Sequence, residues 1–204
     1  MTRAIEEAIV DFDVPREQLR PIREVRSTLV ISSLQALRDH ELTDAYFERL
    51  DRAHHATIRA IAAGVWVPIE LAVAHYRACD ALDLPQSTLF EIGTNVSRRV
   101  QGSTLATVLR LASSTGVTLW TGLRQFDRLY ARIFVGGGVA VFKLGPKEAR
   151  IEMLAAPLTP IAYFRRGLRG TITAGCEQFS RKVYVREIEE RRTDAWMAYR
   201  ISWV

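Results

Sequence analysis

The sequence predicts an α+β fold: a helical N-terminal body followed by a β-β-α-β-β module with an antiparallel sheet. Two observations carry this. Apolar residues recur at three- and four-residue steps as far as Gly136, Gly137 and Gly138, and at every second residue beyond them. The charge divides at the same place. Residues 139–204 hold 12 Lys+Arg against 7 Asp+Glu, whereas the rest of the chain is neutral. With 204 residues, 48% hydrophobic and 25% charged, the chain is expected to build one sizeable core, not a disordered ensemble. The parts are read as an N-terminal arm over 1–24, a mainly helical body over 25–138 and the β-β-α-β-β module over 139–204, together one compact domain.

The arm offers a short helical turn punctuated by Pro15 and Pro21. Val25 to Ile31 is rich in β-branched residues and reads as a short strand or as the lead-in to a helix around Leu34 and Leu37. Thr43 suits an N-cap, and Ala45, Phe47, Leu50, His54, Ile58 and Ile61 continue a helical stripe up to Gly64. Pro68 opens the next helix, whose stripe includes Ile69, Ala72, Tyr76 and Cys79, and Pro85 stops it. Residues 86–116 read as two helical pieces with breaks near Gly93 and Gly102 and a stop at Gly116. Leu119, Leu123, Phe126, Tyr130 and Phe134 then predict one buried amphipathic helix, ended by the glycine run.

Beyond the glycines, Val139–Leu144 and Glu148–Leu154 are expected strands joined at Gly145 and Pro146. Ala149, Ile151 and Met153 share one face of the second; Arg150 and Glu152 share the other. Residues 161–179 form a helix, and strands at Arg181–Ile188 and Ala195–Val204 close the chain. Gly167, Thr171 and Gly175 make a strip of small residues along that helix, which points to a close helix–sheet contact or to a ligand-facing wall.

These segments carry a resemblance. Arg150 to Leu154, Tyr163 to Gly170, Ala174-Gly175 and Tyr199 to Trp203 resemble the ligand-binding fold shared by haem-nitric-oxide sensors, 4-vinyl-reductase-like domains and small subunits of Golgi transport complexes. Trp66 to Pro68, Tyr76 to Asp80, Phe90 to Gly93 and Gly145 to Glu148 are similar to an uncharacterised paralogous domain family expanded in myxobacteria. The resemblance implies a sensory or scaffolding theme without an activity. It also implies what is missing. The haem-binding relatives use a proximal His and a Tyr-x-Ser-x-Arg clamp, yet this sequence has no such clamp and no His after His75. The zinc-binding relatives cluster several Cys in this module, where Cys176 stands alone. No cofactor and no metal are expected.

Each chemistry-bearing residue also has a plainer role. Adjacent helical residues point about 100° apart, so His54 and His55 cannot chelate one ion by themselves. Cys79 and Cys176 fall on apolar stripes and read as core thiols. The glycine run follows a helix and precedes a strand, the reverse of a phosphate loop. Arg165, Arg166 and Arg169, with Arg181 and Lys182, form the most basic surface, whose first reading is a solvated face and whose second is a site for an anion or an acidic partner. Tyr163, Gly167, Thr171 and Trp196 are candidates for an apolar pocket. The expectation is a non-catalytic cytoplasmic sensory or protein-interaction domain, homodimeric, with a protein partner or a small apolar ligand and no membrane span. A nucleotide or nucleic-acid binder using the Arg165–Arg169 face is the alternative, weakened by the lack of any nucleic-acid-binding motif.

Overall fold

The computed structural model describes residues 7–101 and 118–204. The body consists of helices α1 (Ser27–Asp39), α2 (Thr43–Arg49), α3 (His55–Arg59), α4 (Ile69–Asp80), α5 (Gln86–Gln101), α6 (Leu119–Leu123) and α7 (Phe126–Ala131). Among them run β1 (Glu7–Val10), β2 (Glu24–Arg26), β3 (Trp66–Pro68) and β4 (Phe134–Val135). The module follows as β5 (Gly138–Gly145), β6 (Glu148–Leu154), α8 (Ala162–Cys176), β7 (Val183–Glu187) and β8 (Trp196–Trp203). This is the expected α+β architecture. No helix among the described residues is long and apolar enough to cross a membrane.

The main sheet is antiparallel and five-stranded, in the order β1-β5-β6-β8-β7. Its alternation sets its faces. Ile151 lies opposite Tyr199 and Met153 opposite Met197, and this apolar face packs on α8, where the Tyr199 hydroxyl donates to the Arg165 carbonyl at 2.9 Å. Met197, Tyr199 and Ile201 have no exposed surface, and burial of each such side chain stabilises the fold by about 1.5–3 kcal/mol.

Several expectations need correction. The arm supplies an edge strand as well as a helical turn: β1 pairs with β5, a 3-10 turn at Arg16–Gln18 follows Pro15, and the chain crosses the outer sheet face, setting Phe12 and Leu19 against Gly138. Val25 to Ile31 is both strand and helix, because β2 hands directly into α1. The helix expected over 43–64 breaks after Arg49, where Leu50 is extended and the Asp51 carboxylate accepts from the Ala53 amide to start a new turn. The single helix expected from Leu119 to Phe134 is two short ones, and Phe134 pairs with Val25 in a small β3-β2-β4 sheet. Gly136 and Gly137, at φ +90° and +66°, therefore turn β4 into β5 and do not end a helix. The helix runs unbroken through Gly93, while Gly102 and Gly116 lie outside the described residues.

Candidate functional site

Helix α8 is the spine against which each candidate residue can be placed. It crosses α5 at close range. A Cβ on Gly93 would overlap the Gly167 carbonyl oxygen, and one on Gly170 would overlap that of Phe90. The Thr171 hydroxyl donates to the Gly93 carbonyl at 3.0 Å. The small-residue strip therefore serves a helix–helix crossing, where helix contact replaces the sheet contact expected for Gly167. Gly175 faces open space. Trp196 does not join Tyr163, Gly167 and Thr171. It sits on the sheet face turned away from α8, with the guanidinium groups of Arg16 and Arg191 at 5.8 and 5.5 Å from its ring.

The basic residues also separate. Arg165 is buried, donating to the Thr159 carbonyl at 2.6 Å and pairing with Glu187 at 2.9 Å. It is an internal strut and not part of a surface. Arg169 lies 5.3 Å from the Phe90 ring, with a buried Nε that finds no hydrogen-bond partner. Arg166, Arg181 and Lys182 are exposed. Arg169 lines a cleft of about 290 Å³ together with Phe90, Thr173, Tyr184 and Arg186, the last of which the sequence reading did not single out. A larger groove of about 670 Å³ lies elsewhere, floored by Pro21, Ile69, Val73, Ala74 and Pro157 with Arg77 at its side.

Two polar clusters are buried. Glu152, with no exposed surface, accepts from Arg150 at 2.6 Å, Arg191 at 2.8 Å and Arg16 at 3.1 Å. The second cluster sits in the helical body. His75 and Cys79 lie one turn apart on α4, so both face inward. The His75 Nδ1 pairs with the Tyr46 hydroxyl at 2.8 Å, and its Nε2 lies 3.7 Å from the Cys79 sulfur. Ser33 joins Cys79 to the Tyr163 hydroxyl, 3.0 Å away, and the Tyr163 amide donates to Asp80 at 2.6 Å, capping α8. Burial draws the His75 imidazole down to about 3 and pushes the Cys79 thiol and the Tyr46 and Tyr76 phenols upward. This cluster is a set of neutral groups, not an activated Cys–His dyad. Burial likewise pushes the Cys176 thiol up to about 12. His55 bonds the Leu50 carbonyl, and no three His, Cys, Asp or Glu among the described residues converge as a metal set.

No family model and no curated protein matches the chain. Solved structures do. It is similar to the Fe(II) unliganded form of an H-NOX point mutant from K. algicida, at 10% identity and a TM-score of 0.63, over 88% of this chain and 96% of that one. It is also similar to an H-NOX point mutant from T. tengcongensis, at 15% identity and a TM-score of 0.60, over 87% and 97%. An oxygen-binding H-NOX domain related to soluble guanylate cyclases, solved as its oxygen complex, gives 13% and 0.57 over 87% and 94%. The resemblance to haem-nitric-oxide sensors thus holds at the level of fold.

Haem, which that fold implies, does not fit these residues. An axial ligand needs a ring nitrogen open to the iron, and His75 has no exposed surface, its Nδ1 bonded to Tyr46 and its ring enclosed by the Cys79 sulfur and the Tyr46 and Tyr76 rings. A porphyrin also needs a slot, and the crossing of α5 on α8 at Gly93 and Gly170 brings backbone onto backbone. Its propionates would need the clamp that the sequence lacks. Among the described residues, the chain has the H-NOX fold with its α5–α8 crossing closed backbone to backbone.

Proposed function

We propose that this chain is a non-catalytic, cytoplasmic sensory or protein-interaction domain, homodimeric, which uses the H-NOX fold without haem and acts through a protein partner. The observation that carries this reading is the pairing of that fold with the closed α5–α8 crossing and the caged His75. The absence of catalysis is supported by the state of the buried nucleophile. A thiol raised by burial beside an imidazole held neutral at ordinary pH supplies neither a thiolate nor a base with access to substrate. A small apolar ligand, if the domain takes one, suits the groove over Ile69, Val73 and Ala74 better than the crossing at Gly167 and Thr171. The nucleic-acid alternative loses its centre, since Arg165 is spent on Glu187 and the Thr159 carbonyl.

Purification from cells grown with a haem precursor tests the reading, with absorption and native mass spectra recorded on the product. The expected product is a colourless dimer of unmodified chains. A Soret band at one haem per chain overturns the haem-free reading.

A further inference from the structure

Among the described residues, one edge of the main sheet has no strand paired to it. Strand β7 is the last in the order, bonded to β8 on one side. The Lys182 carbonyl accepts from the Val204 amide, and the Ile188 amide donates to the Ala198 carbonyl. That register turns the amides and carbonyls of Tyr184 and Arg186 toward β8, and those of Val183 and Val185 toward the open edge. The Val183 and Val185 side chains are buried, so this edge is held straight by the core.

The edge is also electrostatically one-sided. Arg186 stands directly across from Arg200, a like-charge pair, and Arg200 is already taken by Glu148. Among the described residues neither Arg186 nor Arg169 has a carboxylate partner, whereas Glu187 next door is held by Arg165 and Arg192. Arg169 brings a guanidinium over the cleft from α8, on the face of β7 opposite to the Arg186 side chain and under Phe90, with its Nε buried and unsatisfied, a state that costs about 1–3 kcal/mol. Charges on an edge strand ordinarily keep a second sheet away. Arg186 and Lys182 suffice for that, and it gives no reason for an inward guanidinium with an unmatched donor. The cleft, at about 290 Å³, falls just below the roughly 300–1,000 Å³ of small-ligand pockets. It suits one acidic side chain better than a nucleotide.

We propose that the β7 edge and the Arg169 cleft together dock an extended acidic segment of a partner protein. The segment adds as a further strand on the Val183 and Val185 amides, with carboxylates on its two faces meeting Arg169 in the cleft and Arg186 on the outer face. This rests on the interaction-domain reading above and names where and how the partner binds.

The test uses the full chain and a fluorescein-labelled peptide of valine and glutamate, with glutamates at adjacent positions so that both faces of the strand carry one, followed by anisotropy. Saturable binding is expected, weakened about tenfold or more by Arg186→Glu and by Arg169→Gln, each checked for an unchanged circular dichroism spectrum. N-methylation of the peptide amides that face β7 should abolish binding, while methylation of the alternate set should leave it. The proposal is overturned by failure to saturate, by equal binding of a valine–lysine peptide, by indifference to Arg186→Glu, or by tolerance of both methylation patterns. Affinity capture with wild type and Arg186→Glu separates the two levels. A partner held equally by both sinks the edge site and spares the interaction reading, whereas loss of every partner from the wild type sinks both.

Discussion

The two buried polar clusters solve the same problem in opposite ways. Glu152 meets three guanidinium partners, and two of these, Arg16 and Arg191, keep 43% and 33% of their side chains in solvent. Its charge is continued outward to water. The His75 cluster has no such exit: imidazole, thiol and phenols are enclosed by one another and by aromatic rings, and all are held neutral. Charge survives burial where its partners reach solvent, because an enclosed ion costs several kcal/mol that a hydrogen-bonded neutral group does not.

Removing the centre of the charged cluster should have the largest effect. Glu152→Ala strips a buried acceptor from three arginines, and a loss of about 3–5 kcal/mol is expected in urea denaturation. A loss under about 1 kcal/mol would show that the arginines simply turn to water, and the contrast between the clusters would then collapse.

The neutral cluster should show itself through pH. The folded His75 titrates near 3 and the unfolded one near 6.5, so between these values the unfolded chain binds the extra proton. The stability that the neutral His75 contributes is complete above 6.5 and is lost with acid by about 1.4 kcal/mol per pH unit, until pH nears 3. The groups facing the ring, Tyr46, Tyr76 and Cys79, stay protonated throughout this window and add no slope. His75→Gln should flatten the profile by one proton. An unchanged slope would mean that the ring is not enclosed.

How much of this the sequence revealed depends on range. The strands after Gly138 and the helix between them follow from local periodicity and lie within one to three residues of expectation. Alternation put Arg150 and Glu152 on one face, but it could not say that the arm would return to cover them, because Arg16 and Glu152 are 136 residues apart. Strand β1 was illegible for the same reason: Glu7 to Val10 has no pattern of its own and becomes a strand only against β5. Arg165, Arg166 and Arg169 looked like one face from their spacing, yet Glu187 draws the first of them inside. Gly93 read as a breaker from propensity, while its reason for being glycine lies across the α5–α8 contact. His75 was visible only as a residue, since its partner Tyr46 comes from another helix, 29 positions earlier.

A smaller cut sharpens the neutral side. Ser33→Ala leaves the Tyr163 hydroxyl without its partner at 3.0 Å and opens the link to Cys79. A cost of about 1–3 kcal/mol is expected, the penalty for a buried group deprived of its bond. Cys79→Ser, by contrast, keeps a hydrogen-bonding group at the junction and should cost less in the same denaturation assay. If both substitutions prove equally mild, the cluster is held by packing and its hydrogen bonds are incidental.

The smallest effect should come from the solvent end of the charged cluster. Arg16 belongs to the arm, its guanidinium 3.1 Å from Glu152 and within cation–π range of Phe12 and Trp196. Because nearly half of that side chain is in water, the ion pair is screened, and Arg16→Ala should cost no more than about 1 kcal/mol. What it should change is local. The arm crosses the sheet between β1 and Pro21 with Arg16 as its charged tie to the sheet beneath, so hydrogen exchange at residues 11–20 should quicken while β5 and β6 stay protected. A global loss as large as that of Glu152→Ala would mean that the arm belongs to the cooperative core. The charged cluster would then be as enclosed as the neutral one.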